Sequence, residues 1–165
     1  MNAQLPTVLL AEDNPDDRFL IERAIRRSRQ AVSLQVVGDG AQAIDYLAGN
    51  APFHDRTRHP PPRLVLLDWK LSRRSGLEVL QWVRSRSHLD GLPVVVLSAS
   101  GEREDVCQAL GARANSYLQK PGSSSDLLER MDATLTYWLQ HNLGPAALAG
   151  PHEPADDVAP TAAAR

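Results

Sequence analysis

The residues of this chain whose types could do chemistry together stand at the ends of short runs: Glu12 and Asp13 after TVLLA, Asp68 after LVLL, Ser98 after VVVL and Lys120 after SYLQ. Three carboxylates brought together repel one another unless a cation or protons neutralise them. Hard oxygen ligands of net negative charge suit Mg²⁺, which keeps some of its waters and takes one or two carboxylates with a phosphate oxygen. Asp68 is the candidate nucleophile, because a carboxylate can accept a phosphoryl group as an acyl phosphate. Such a transfer demands positive charge and hydrogen-bond donors around the equatorial oxygens more than it demands a base. The cation, Lys120 and Ser98 would supply them.

Positioning these groups requires strands that end at one edge. Short β-branched and leucine-rich runs alternate with longer amphipathic stretches, the pattern of strand and helix units around a parallel sheet. The pattern predicts strands at 7–11, 33–37, 64–67, 94–97 and 116–118, three of them almost uninterrupted apolar and therefore central. It predicts helices at 15–28, 40–48, 76–86, 102–111 and 124–141. Ser123 and Asp126 form a capping pair for the last, and Gly111 caps the end of the fourth. The fold class is thus α/β, a doubly wound five-stranded parallel sheet with five helices, the last one extended. In such folds ligands bind beyond the carboxyl ends of the strands.

Composition narrows the function. The 165 residues are 42% hydrophobic and 23% charged, so one globular domain is expected. A net charge of −2 lacks the positive field of a nucleic-acid binder. The acidic start after a few apolar residues does not read as a signal peptide, and no run approaches a membrane span. The lone Cys107 cannot form an internal disulfide, which favours the cytoplasm. The five histidines lack metal-ligand spacing. Residues 49–62, with three consecutive prolines, read as an extended surface loop inserted before the third strand. Residues 143–165 hold eight Ala, four Pro and two Gly without apolar period and read as a flexible tail, leaving 6–142 as the domain.

LLAED ending at Asp13, LVLLD ending at Asp68, Gly76 eight residues on, VVVLSAS with Ser98, and ANSYLQKP with Tyr117, Lys120 and Pro121 resemble, in order and separation, the receiver domain of two-component response regulators. The resemblance covers about residues 6–141. It implies a flavodoxin-like receiver fold and phosphorylation of Asp68 by a sensor histidine kinase. It implies Mg²⁺ bound by Asp13, Asp68 and the Lys70 carbonyl, with Glu12 holding a metal-bound water. Ser98, the Ala99 N–H and Lys120 would bind the phosphoryl oxygens, Tyr117 would turn inward behind Ser98 as a switch, and Lys120-Pro121 would be cis. The Pro-rich insertion, ANSYLQKP and the late Tyr-Trp-Leu most resemble the small regulators that serve bacterial phytochromes. Leu71-Ser72 departs from the usual Met-Pro after the phosphorylation site, and Lys70 and Ser100 occupy positions that commonly tune phosphoryl lifetime.

Other residues have plainer readings. Asp16 and Asp17 would stabilise a helix dipole in solvent. Arg23, Arg26, Arg27 and Arg29 would form a solvated face that can also meet a kinase. Leu128, Met131, Leu135 and Trp138, widened by Leu127, Thr134 and Tyr137, form an apolar stripe too broad for one sheet face, which predicts a symmetric homodimer through the last helix. Two rival functions differ from a signalling module without catalytic turnover. The best-known family of phosphohydrolases that form an aspartyl-phosphate has a second carboxylate two residues after its nucleophile, where Lys70 stands here. An unphosphorylated scaffold would have lost polar groups that are all present.

Overall fold

Five strands and five helices alternate along the chain in a computed structural model that describes residues 5–144. They are β1 (Thr7–Ala11), α1 (Pro15–Arg27), β2 (Ser33–Val37), α2 (Gly40–Ala48), β3 (Leu64–Asp68), α3 (Gly76–Arg84), β4 (Val94–Ser98), α4 (Arg103–Gly111), β5 (Ser116–Gln119) and α5 (Ser124–Thr136). All strand pairs are parallel and the order is β2-β1-β3-β4-β5. Alternation along each strand sends successive side chains to opposite faces. Val8, Leu10, Leu64, Leu66, Val95 and Leu97 pack against α1 and α5, whereas Leu9, Ala11, Val65, Leu67, Val94 and Val96 belong to the core shared with α2, α3 and α4. Both faces are covered, which is why β1, β3 and β4 carry almost no polar residue.

Local chemistry sets the helix starts. The Asn14 side chain accepts the Asp16 and Asp17 N–H groups, Ser75 and Glu78 form a reciprocal capping box, and Ser123 accepts from the Asp126 N–H. Gly111 does not cap α4 as expected. The left-handed residue beyond it is Arg113 (φ 71°), whose carbonyl accepts from Arg84 Nε at 3.0 Å and whose guanidinium pairs with Asp90. These contacts fix a turn that glycine would otherwise favour.

The insertion before β3 is held by packing. Arg56 donates to the Tyr46, Leu47 and His59 carbonyls, closing the C-terminal end of α2, and the Tyr46 hydroxyl donates to the Pro60 carbonyl at 2.7 Å. Phe53 and His59 pack edgewise or tilted on the Tyr46 ring. Burial pushes the Tyr46 phenol up to about 12, against the charge of Arg56.

Two expectations need correction. Among the described residues the cis bond is Ala51–Pro52, not Lys120–Pro121. The trans form of an X–Pro bond is already favoured by about 0.5–1 kcal/mol, and the Lys120 N–H donates to the Ser98 carbonyl at 2.7 Å, which fixes its backbone at the strand end without a cis bond. The apolar stripe of the last helix is mostly internal. Met131 and Leu135 are buried with Leu127 against the sheet and α1, and Leu128 and Trp138 are half-buried. Leu127, Met131 and Leu135 cannot form an interface without unpacking the core, whereas Leu128 and Trp138 keep part of their surface exposed. Tyr137 is 53% exposed, stacked edge-on against Trp138 where the helix loosens into a π-helical turn (Tyr137–His141). The tail assigned to 143–165 lies, from residue 145 on, outside the described residues.

Candidate functional site

The order β2-β1-β3 reverses direction at β1, so a crevice opens beyond the carboxyl ends of β1 and β3, where ligands bind in doubly wound sheets. Glu12 and Asp13 leave β1 on one side of it, and Asp68 is the last residue of β3 on the other. One carboxylate oxygen from each of the three lies within 4.8 Å of the others. Glu12 and Asp68 are buried; Asp13 is half-buried. This donor set, hard, anionic and close, fits a divalent cation.

Lys120, at the end of β5, is the counter-charge on the protein's own side. Its ammonium donates to Glu12 Oε2 at 2.7 Å and Asp17 Oδ2 at 2.8 Å, and lies 3.6 Å from Asp68 Oδ1. Burial pushes the Glu12 carboxyl above its ordinary value, and the negative charge of Asp68 adds to that against the Lys120 hydrogen bond. Burial also raises Asp68, with Lys120 opposing and Asp13 adding. Burial works to lower the Lys120 ammonium, but hydrogen bonds to Asp17 and Glu12 and the charge of Asp68 outweigh it, so the lysine is held above its ordinary value. Asp17 is therefore part of this network and not only a solvated residue of the first helical turn.

Backbone donors complete the shape. The Asp13 carboxylate accepts the Ser72 N–H at 3.0 Å, which draws the β3–α3 loop across the crevice, and Glu12 Oε1 accepts the Asn14 N–H at 3.0 Å. The Trp69 N–H donates to the Leu97 carbonyl at 3.3 Å, which ties the start of the β3–α3 loop to the end of β4. Gly76 is required here: a Cβ would sit 2.6 Å from the Asp68 carbonyl oxygen and 2.8 Å from Trp69 Cα. On the far side, Ser98 is fully buried at the end of β4, while Ala99 is exposed. Ser98 Oγ accepts the Ser100 N–H at 3.2 Å, and the half-buried Tyr117 donates its hydroxyl to the Ser100 carbonyl at 2.8 Å.

Glu12, Asp13, Asp68 and Lys120 thus converge, with Ser98 and Tyr117 alongside. Sequence reasoning missed Asp105, in the first turn of α4. Interaction with Ser100, then Lys70 and Trp69, holds its carboxyl below the ordinary range. No local spacing links it to Asp68, so only the fold reveals it.

A sheet of order 2-1-3-4-5 with an acidic crevice at the β1/β3 switch and a lysine from β5 defines a receiver. The chain belongs to the response regulator receiver domain family, which matches residues 8–132. It is similar to the probable methanogenesis regulatory protein FilR2 of Methanothrix harundinacea, 37% identical over 138 residues, 84% of this chain and 86% of that one. It is also similar to response regulator Rcp1 of Synechocystis sp., 31% identical over 140 residues, 85% of this chain and 93% of that one; the Mn²⁺-bound form of Rcp1 aligns with a TM-score of 0.75 at 29% identity, over 85% and 99% of the two chains. The phosphorylated cyanobacterial phytochrome response regulator RcpA aligns with a TM-score of 0.78 at 31% identity, over 87% of this chain and 99% of its own. The chain is a receiver-domain response regulator homologous to regulators of phytochrome pathways. Among the described residues no helix is long and apolar enough to cross a membrane.

Proposed function

We propose that residues 6–142 act as a phosphoryl-accepting switch in a histidine–aspartate phosphorelay, with Asp68 as acceptor and a sensor histidine kinase of the bacteriophytochrome type as donor. The observation that carries this reading is the convergence of Glu12, Asp13 and Asp68 within 4.8 Å, with the Lys120 ammonium among them. In the transfer, an Asp68 oxygen attacks phosphorus, the P–N bond to the kinase histidine breaks, and its electron pair returns to the imidazole. A Mg²⁺ ion held by Asp13, Asp68 and the Lys70 carbonyl, with Glu12 on a bound water, would supply positive charge opposite the phosphoryl oxygens. Lys120 supplies positive charge from the protein, and the Ser98 hydroxyl and Ala99 N–H supply hydrogen-bond donors.

Drawing Ser98 toward the phosphoryl group would disturb its bond from the Ser100 N–H. Because the Tyr117 hydroxyl is held on the Ser100 carbonyl, that movement would release the ring inward and reshape the surface around α4 and β5. The product is a changed affinity for partners, so the chain works as a cytoplasmic signal carrier and not as an enzyme turning over free substrate. Homodimerisation, narrowed to the exposed Tyr137 and its neighbour Trp138, would be one output. The test is phosphotransfer from a bacteriophytochrome kinase labelled on histidine. Label should pass to the wild-type chain, and chelation of divalent cations should stop it. Transfer that proceeds unchanged with the chelator, or equally to an Asp68→Asn variant, would overturn the proposal.

A further inference from the structure

Lys70 stands two residues after the acceptor, in the β3–α3 loop, and its side chain reaches toward Asp105. Although that side chain is 66% exposed, its ammonium lies 3.3 Å from Asp105 Oδ2 and 3.5 Å from Oδ1. Asp105 is the anchored partner, with its side chain only 13% exposed. Its Oδ2 is a buried oxygen with no hydrogen-bond partner among the described residues, and the Lys70 ammonium lies 3.3 Å from it, adding to the influence of Ser100 and Trp69 on this carboxylate. The pair joins the β3–α3 loop to the first turn of α4.

We propose that Asp105 is a positioning residue that tethers Lys70 away from Asp68 and thereby shortens the life of the phosphoryl group. The proposal rests on the reading of Asp68 as phosphoacceptor. Hydrolysis requires a water oxygen to attack phosphorus in line with the bond to Asp68. That bond breaks, its electron pair returns to the carboxylate, and inorganic phosphate leaves with the protons of the water. The ammonium sits on a flexible four-carbon stem, and a phosphoryl dianion on Asp68 would compete with Asp105 for it. Held by Asp105, Lys70 leaves the approach to phosphorus open; released, it folds over the phosphoryl oxygens and fills the path of the incoming water.

An exposed ion pair shifts such an equilibrium by about two- to fivefold, and the phosphoryl half-life should change by the same factor. The experiment labels wild type, Asp105→Asn, Lys70→Met and the double variant with acetyl phosphate, removes the donor, and follows decay by intact mass. Asp105→Asn should decay about two- to fivefold more slowly. The double variant should decay at the Lys70→Met rate, and Asp105→Glu should restore the wild-type rate. An unchanged half-life in Asp105→Asn would overturn the proposal, as would equal slowing in the Lys70→Met background, which would mean that Asp105 acts through α4 alone. Should Asp105→Asn unfold, Lys70→Met still decides: decay no slower than wild type supports the tether, and slower decay refutes it. A wild-type chain that takes no label overturns the reading of Asp68 instead.

Discussion

Replacing Lys120 by methionine keeps most of the stem and deletes the charge, and the cost follows from what the ammonium touches. Its bond to Asp17 reaches a carboxylate 38% exposed and is worth at most about 1 kcal/mol. The bond to Glu12 reaches a side chain with no exposure, and Asp68 beside it is 8% exposed. Without Lys120 these two anions face each other unpaired, and breaking a buried pair from one side costs about 3–5 kcal/mol. That is a large part of the 5–15 kcal/mol that typically holds a domain folded. The deficit should depend on pH. Burial already raises the Glu12 carboxyl, and loss of the lysine raises it further, so the unfolded chain ionises first and stability falls as pH rises above the ordinary value of 4.5. The deficit should therefore be large at pH 7.5 and shrink toward pH 4.5, and adding Glu12→Gln should recover part of it. Urea unfolding of the three chains measures this. A loss below about 1 kcal/mol at pH 7.5, or one that does not change with pH, would refute the view of Lys120 as the buried counter-charge.

Trp69 is 4% exposed and follows Asp68 directly, so titration with a divalent cation and then beryllofluoride should change its emission in two saturable steps that vanish in Trp69→Phe. Gly76→Ala should cost about 1–3 kcal/mol of stability and weaken the first of those steps, because the new Cβ meets the Asp68 carbonyl at 2.6 Å and the backbone carrying the acceptor must move. Asp132 on α5 accepts the Arg29 N–H at 2.7 Å and pairs with its guanidinium at 2.6 Å, which holds its carboxyl below the ordinary 3.8. Its stabilisation is full above pH 3.8 and lost as pH falls through the lowered value, so Asp132→Asn should unfold more readily than wild type at neutral pH, with the gap closing in strong acid.

The sheet and the polar groups at its edge were legible because buried parallel strands leave a plain signal: apolar runs that stop at a charge. Runs such as TVLLA and LVLL place Glu12 and Asp68 at strand ends by length alone, and the strand boundaries shift by no more than a residue. What the pattern could not convey is contact between distant segments. Asp17 reads as a residue of a helical first turn until the fold sets it 2.8 Å from Lys120, 103 positions away. Asp105 and Arg29 acquire partners the same way. Periodicity in the last helix marked an apolar stripe but not its cover; Met131 and Leu135 are buried by α1 and the sheet, a match that depends on three-dimensional packing. The insertion carried polar and proline signals of a surface loop, while the clasp of Arg56 on the end of α2 required the turn itself to form.

The central claim is that one carboxylate, Asp68, takes the phosphoryl group. The most direct measurement is the intact mass of wild type and Asp68→Asn after incubation with acetyl phosphate and Mg²⁺, with peptide mapping of the modified chain. One added phosphoryl group per wild-type chain, mapped to Asp68, absent from Asp68→Asn and lost on removing the cation, is the predicted result. A wild-type chain that stays unmodified, or an Asp68→Asn chain that gains the same mass, would contradict it.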